Sequence, residues 1–215
     1  MARNNLWNDE YWLLLMQLYL RKPVGVKAMY SRALVKLSME LHIPPQFLYE
    51  QMLRLRSIDT PRMERLWETY GNNPKKLSRG VKLLRQKRGY GQGELFYEGV
   101  EVNETFELDF KPVLPDSSIT PVMLILILDL YFRLTPLTMV SDTPEIIELA
   151  RMLKLKPNKV VEIMDIYQMY DPYLKREDFI INSLVGPCQQ VWQRFANQSP
   201  QKLAALAAQL KDYFK

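Results

Sequence analysis

Cysteine and histidine are almost absent from this chain of 215 residues. The single cysteine, Cys188, excludes an internal disulfide bond and a zinc site built from cysteines, and the single histidine, His42, excludes a cluster of histidine ligands. The sequence also lacks a glycine-rich phosphate loop, a nucleophile motif and a recognisable metal-ligand spacing. Because catalysis needs such a constellation of side chains, we predict that the protein is not an enzyme and uses no cofactor.

Long apolar runs are also missing. The most apolar stretch, VMLILILDLYF from Val122 to Phe132, is shorter than the roughly 20 residues that cross a bilayer as a helix, so it predicts a buried helix. The first residues, MARNNLWNDEYW, are polar and charged where a secretion signal has an apolar core. We therefore expect a cytoplasmic protein with no integral membrane association.

Glycine is scarce, with 8 residues, whereas leucine, methionine, lysine and glutamate are frequent, and this composition favours helices. At several places a capping side chain stands directly before a proline. The cap oxygen accepts a hydrogen bond from an unpaired backbone N–H, and proline tolerates the first helical position because an N–H there would have no partner. Helices are therefore predicted to begin at the proline of Thr60-Pro61, Asn73-Pro74, Thr120-Pro121, Thr143-Pro144 and Ser199-Pro200.

Part of the sequence occurs twice. Residues 12–59 align with residues 124–171 without a gap, 112 positions apart, and ten of the 48 positions are identical. The recurring residues of the first copy are Leu14, Leu18, Tyr19, Arg21, Leu37, Leu41, Pro45, Glu50, Met52 and Asp59. A later piece also recurs, in which Trp67 matches Trp192, and we expect both side chains to be largely buried. We interpret this as an internal duplication, because a repeated apolar pattern predicts a repeated packed unit; the alternative is chance similarity between amphipathic helical segments.

Charge divides the chain into three parts. Residues 1–90 carry a net charge of +10, residues 91–120 carry −6, and residues 121–215 carry +1. The expected fold class is mainly α, with two related helical units on either side of an acidic connector. The predicted boundaries are 6–88 for the basic helical unit, 89–119 for the connector and 120–215 for the second helical unit.

The connector has a different pattern from its neighbours. Between Val100 and Phe110, polar and apolar residues mostly alternate in the sequence VEVNETFELDF. A period of two is typical of a strand, which here would have one acidic face. The preceding stretch, RGYGQGELFYEGV, supplies glycines for turns. We therefore predict a short β-hairpin or strand in the connector.

The repeated stretch contains two predicted helices joined by a tight turn. In ELARMLKLKPNKVVEIM the small residue Ala150 lies on the first helix, Leu155 in the turn, and Val160 and Ile163 on the second helix. The matching residues of the first copy are Ser38, Ile43, Leu48 and Gln51. This spacing resembles the helix-turn-helix pattern of DNA-binding proteins, and the opening LWNDEYWLLLMQLY resembles the tryptophan-and-acid start of Myb-like three-helix domains. The resemblance implies that the second helix of the pair enters the major groove of DNA.

The turn departs from that family at one position. Where helix-turn-helix proteins usually carry glycine, this chain has His42 in the first copy and Lys154 in the second. Glycine enters the left-handed backbone region without strain, whereas other residues do so less readily. Either the turn is reshaped or the resemblance is loose.

The first copy is better suited to nucleic acid than the second. The second helix of its pair contains a single acid, Glu50, whereas the corresponding helix of the second copy contains several, which repel phosphate. Glutamine and arginine hydrogen-bond the edges of bases. The candidate nucleic-acid contacts on this helix are Gln46, Tyr49, Arg54 and Arg56. The alternative is that the helix pair serves only three-helix packing.

The densest positive charge follows, with no acid between Gly71 and Gly93. Leu77, Val81 and Leu84 form the apolar stripe of a predicted helix, so its cations lie on the other faces, where they can neutralise phosphates. The candidate contacts are Lys75, Lys76, Arg79, Lys82, Arg85, Lys87 and Arg88. The alternative is a solvated face whose cations suit the C-terminus of a helix.

These observations favour a non-catalytic binding protein whose basic first unit binds nucleic acid. The alternative is a protein-interaction or scaffold module of helical repeats that contacts a protein partner and no nucleic acid. A positive face spanning the two candidate helices would favour nucleic acid, and a large exposed apolar patch would favour a protein partner.

Overall fold

The computed structural model describes residues 6–91, 106–114, 116–174 and 180–215. These residues are mainly helical, which confirms the predicted fold class at that level. The chain divides into two compact units, residues 1–103 and residues 104–215.

The described part of the first unit is built around one apolar helix. Its helices are α1 (Trp12–Leu20), α2 (Arg32–Leu41), α3 (Pro45–Ser57), α4 (Pro61–Tyr70) and α5 (Pro74–Arg85). Leu15 and Met16 of α1 are fully buried, and α3 and α5 pack against this helix. The helix α2 packs on α3, and α4 packs on α5. Because α1 is apolar on nearly every side, it takes the central place and the amphipathic helices cover it.

The second unit has the same kind of centre. Its described helices are α6 (Phe106–Phe110), α7 (Pro121–Tyr131), α8 (Pro144–Leu153), α9 (Pro157–Tyr170), α10 (Val185–Phe195) and α11 (Pro200–Leu210). The helix α7 is almost wholly buried, as its apolar sequence predicts, and α9, α10 and α11 pack against it. In the part of the chain that the structure describes, no helix has both the length and the apolar character to cross a membrane.

The predicted helix starts are confirmed at all five prolines. Thr60 and Asn73 act as caps: Thr60 Oγ1 accepts a hydrogen bond from the backbone N–H of Met63 at 3.4 Å, and Asn73 Oδ1 accepts one from Lys76 at 3.0 Å. Thr120 Oγ1 instead is buried without a hydrogen-bond partner among the described residues. The fixed backbone angle of proline therefore marks the start of a helix even where the preceding side chain makes no cap.

Several helix bounds of the two units lie at matching places. The bounds of α8 lie 112 positions after those of α2, and α9 begins 112 positions after α3. The ends of α4 and α10 differ by 125 positions, and the starts of α5 and α11 differ by 126. The repeated stretch has the offset of 112, and Trp67 and Trp192 are 125 positions apart.

The predicted strand of the connector is wrong where it can be checked. Residues Phe106–Phe110 form the short helix α6, and the described residues contain no β-sheet, only one isolated bridge between Val113 and Asp116. In a helix, positions four apart share a side, so Phe106 and Phe110 point the same way while Leu108 is exposed. Phe110 packs against Tyr213, with 5.0 Å between ring centroids, so packing within the second unit favours the helix. The remainder of the predicted strand, residues 100–105, lies outside the described residues.

Candidate nucleic-acid interface

The turn between α2 and α3 has the backbone that a glycine would adopt, although no glycine is present. His42 has φ 55° and Lys154, its counterpart between α8 and α9, has φ 60°. The next residue closes each turn: the N–H of Ile43 donates to the carbonyl of Ser38 at 3.1 Å, and that of Leu155 donates to Ala150 at 2.9 Å. This is a Schellman-type end of the first helix. Both turns therefore hold a residue other than glycine in the left-handed backbone region.

Small buried residues lie where the two helices of each pair meet. Ser38 on α2 and Ala150 on α8 are both buried, and Leu48 and Val160 on the second helices are fully covered. Ser38 Oγ also donates to the carbonyl of Ile43, so its hydroxyl is satisfied inside the turn. The residues that carry the resemblance in sequence therefore occupy the interior of each helix pair.

The exposed side of α3 does not gather its four candidate contacts into one cationic face. Gln46 and Glu50, four residues apart, share the exposed side, and Gln46 Nε2 donates to Glu50 Oε1 at 3.3 Å. Arg54 is paired with Asp59 at 2.9 Å between Nε and Oδ2. Tyr49 is half-buried, and Arg56 is exposed with no ion pair in the described parts of the chain. A carboxylate therefore stands in the middle of this face, and the base-reading role predicted for α3 gains little support.

The helix α5 presents a row of cations to solvent. Its residues Leu77, Val81 and Leu84 are buried, which confirms the predicted apolar stripe. On the opposite side lie Lys75, Arg79 and Lys82, which we call the cation stripe. Their spacing of four and then three residues aligns them along one side of the helix. All three side chains are exposed, and none forms an ion pair with another residue that the structure describes.

The other candidate cations around α5 have different surroundings. Lys76 lies over the ring of Tyr70, with 5.4 Å from Nζ to the ring centroid. Lys87 is paired with Glu10 at 2.7 Å, whereas Arg88 is exposed and makes no ion pair with a described residue. The predicted positive segment therefore has two portions. The cation stripe has no ion pair with a described residue, whereas carboxylates of the same unit neutralise some of the cations at the C-terminal end of α5 and just after it.

Arg85 holds the end of α5 against α2. Its guanidinium donates to both carboxylate oxygens of Glu40, at 2.7 Å and 3.1 Å, and the hydroxyl of Tyr90 donates to the same carboxylate. Burial opposes ionisation of Glu40, but the hydrogen bonds from Arg85 and Tyr90 outweigh it, so the pKa of this carboxyl lies below its ordinary value. Burial, together with the hydrogen bond to Glu40, raises the pKa of Tyr90. Glu40 is therefore a carboxylate at neutral pH and fixes the position of Arg85.

Two cations that the sequence analysis missed lie near this pair. Arg21, just after α1, and Lys36, on α2, line a groove of about 310 Å³ together with Arg85. Their only signals in the sequence are weak: Arg21 recurs as Arg133 in the second copy, and Lys36 interrupts the apolar pattern of α2. Neither lies in the dense positive segment, so charge density alone could not have found them.

The counterpart of α3 in the second unit is neutralised by acids. Lys159 on α9 lies 3.2 Å from Glu162 and 3.6 Å from Asp116. Three exposed apolar residues of this unit lie in the loop after α7, where Phe132, Leu137 and Val140 are 40%, 91% and 51% exposed. Unlike the cation stripe of α5, Lys159 of α9 therefore has acidic neighbours.

Comparison with protein-family models, with curated proteins and with solved structures finds no match to this chain. Among the residues that the structure describes, histidine, cysteine and carboxylate side chains form no group that could hold a metal ion.

Proposed function

We propose that the first unit binds nucleic acid through its phosphate backbone, with the cation stripe Lys75, Arg79 and Lys82 as the main contact. The observation that carries the proposal is that these three side chains are exposed and form no ion pair with any residue that the structure describes. An unpaired lysine or arginine keeps its full charge for a phosphate, and each phosphate that it neutralises releases condensed counterions, which favours binding.

The proposed binding does not depend on base sequence. Sequence is recognised by side chains that reach base edges, but on α3 the amide of Gln46 is bonded to Glu50, and Arg54 is paired with Asp59. The carboxylate of Glu50 would also repel phosphate. We therefore assign α3 a supporting role at most and place the affinity on α5.

The proposal treats the two units as copies of one helix-turn-helix-like unit. In its support, α2 and α8 have matching bounds, and both turns carry a left-handed residue, His42 or Lys154. The second copy would have lost nucleic-acid contact, since Lys159 is engaged by acids. A cytoplasmic location, expected from the sequence, stays a prediction.

The salt dependence of DNA binding tests the proposal. Each phosphate contact contributes about 0.9 to the slope of log affinity against log salt, so the triple variant Lys75→Gln, Arg79→Gln, Lys82→Gln should lower that slope by about 2 to 3. The matched control is Arg151→Gln, Lys156→Gln, Lys202→Gln, which removes the same charges from exposed positions of the second unit. Fluorescence anisotropy with a short duplex of random sequence measures both. Equal slopes for the two triple variants would contradict the role of α5.

A protein-interaction module is the second candidate function. It is favoured by the exposed side chains of Phe132, Leu137 and Val140, because apolar groups gathered on one loop are typical of a contact with another protein. If the full chain binds no duplex or single strand at about 50 mM salt, where phosphate contacts are strong, this function replaces the first.

A further inference from the structure

A groove in the first unit has charged side chains at its rim and buried leucines in its wall. It lies between α1, α2 and α5 and has a volume of about 310 Å³. Leu14, Leu18 and Leu37 are buried side chains in its wall. Its charged lining residues are Arg21, Lys36, Arg85 and Glu40. Three helices thus bring together side chains that are up to 71 positions apart in the sequence.

Two of the three cations in the lining of the groove have no ion-pair partner among the described residues. Arg85 is fixed by its two hydrogen bonds to Glu40, which use two of the five N–H groups of its guanidinium. Arg21 and Lys36 are exposed and make no side-chain ion pair in the described chain. The backbone carbonyl of Arg21 accepts a hydrogen bond from Lys27 Nζ at 2.7 Å, which brings a further positive charge near the groove. One carboxylate therefore faces three lining cations, and the lining has a surplus of two positive charges.

We propose that this groove binds a phosphomonoester, with the phosphate on Arg21, Lys36 and Arg85. A phosphomonoester carries a charge of about −1.5 to −2 at pH 7, which matches the surplus, whereas a carboxylate or an internal phosphodiester carries a single charge. Arginine suits phosphate because its planar guanidinium donates two parallel hydrogen bonds. The volume lies at the lower end of the range for small-molecule sites, as expected for a ligand of nucleotide size.

The same chemistry has two sources, a free nucleotide and the 5′-phosphate at the end of a nucleic-acid strand. The groove uses cations other than the cation stripe, so this inference does not rest on backbone binding by α5. It goes beyond the proposed function because internal phosphates of a duplex are diesters and would not fill the groove.

Titration of the full chain with deoxyadenosine monophosphate, against deoxyadenosine as the uncharged control, tests the site. We expect saturable binding of the monophosphate in calorimetry and none of the nucleoside at the same concentrations. The double variant Arg21→Gln, Lys36→Gln should bind the monophosphate about tenfold or more weakly, because two charge-assisted contacts are lost. The matched control Arg65→Gln, Lys202→Gln removes one arginine and one lysine from exposed positions outside the groove and should bind like the parent chain. The proposal is overturned if monophosphate and nucleoside bind alike or not at all, or if both double variants bind alike.

A second measurement distinguishes the two sources. If strand ends are the ligand, a short single strand with a 5′-phosphate should bind several times more tightly than the same strand with a 5′-hydroxyl. The Arg21→Gln, Lys36→Gln variant should lose this preference while still binding both strands. Equal affinity for the two strands, with monophosphate binding intact, supports the groove as a site for a free nucleotide. Failure of the proposed function has a different signature, since neither strand then binds while the monophosphate still does.

Discussion

Tyr19 packs edge-on against Trp67, with 5.6 Å between ring centroids and 87° between ring planes. The corresponding pair in the second unit, Tyr131 and Trp192, repeats the arrangement at 6.0 Å and 71°. Both tryptophans are only partly buried, so the expected deep burial is not reached. Each nevertheless joins the central helix of its unit to the helix that carries the tryptophan, and Trp67 Nε1 donates to the carbonyl of Leu55 at 2.9 Å, which adds α3 to the contact.

Truncation of Trp67 should destabilise the first unit. Trp67→Ala removes the aromatic contact with Tyr19 and the hydrogen bond to Leu55. We expect the free energy of unfolding to fall by about 2–4 kcal/mol, which is somewhat less than for a core aromatic because the ring is partly exposed. Trp67→Phe keeps a ring beside Tyr19 and should lose only about 1 kcal/mol for the missing hydrogen bond. Urea unfolding followed by circular dichroism measures both. An unchanged midpoint for Trp67→Ala would refute the anchoring role.

Relief of the left-handed turn in the second unit should stabilise it. Lys154 is exposed and has φ 60°, a backbone conformation in which a Cβ atom crowds the backbone. Lys154→Gly removes this strain but also adds conformational entropy to the unfolded chain. We expect the net result to be a rise in the free energy of unfolding of about 0.5–1 kcal/mol. Lys154→Ala retains the Cβ and serves as the control, with no gain expected. Thermal unfolding compares the three chains. A lower midpoint for the glycine variant than for the alanine variant would show that the turn is not strained.

The contribution of Glu40 to stability should depend on pH. The pKa of its carboxyl is below the ordinary value of 4.5, so its stabilisation is complete above that value and is lost as the pH falls through the lower folded pKa. At pH 7 we expect Glu40→Gln to cost about 0.5–1 kcal/mol, a modest amount because the ion pair with Arg85 is partly exposed. Once the pH is well below the folded pKa of Glu40, the variant and the parent chain should be nearly equally stable.

Glu68→Gln is the control for the pH dependence, because Glu68 is exposed on α4 and has no ion pair with a described residue. Urea unfolding at several pH values measures all three chains. A difference between Glu40→Gln and the parent chain that stays constant from pH 7 to the acid range would contradict a role for the ionised carboxylate.

Cys188 should be inert in the folded chain. It is fully buried on α10, and burial raises the pKa of its thiol to about 12. At pH 8 only about one thiol in 10,000 is then the reactive thiolate. A coloured disulfide reagent should therefore label the native protein far more slowly than the protein in concentrated urea, where the thiol is exposed and has its ordinary pKa. Labelling at the same rate in both conditions would show that this part of the second unit opens readily.

Local signals in the sequence were enough to predict much of the fold. Pro61, Pro74 and Pro121 each begin a helix, because proline fixes its own backbone angle and has no N–H that would need a partner at the first helical position. This signal depends only on proline and the residue before it, so it can be read from the sequence. The apolar stripe Leu77, Val81 and Leu84 is buried as predicted, since the period of the helix alone decides which residues share a side. For the same reason the stripe of cations opposite could be expected from the sequence.

Tertiary structure alone decided the rest, because the deciding partners are distant in the chain. The segment Phe106–Phe110 fits both a strand and a helix by pattern, and its contact with Tyr213, more than 100 positions later, favours the helix. Arg85 is paired with Glu40, 45 positions earlier, which no local count of charge could reveal. The groove also depends on residues that are distant in the chain, because Arg21, Lys36 and Arg85 line one groove only when the helices of the first unit pack. The sequence by itself determined which residues carry charge. The fold determined which of these charges form pairs and which line the same groove.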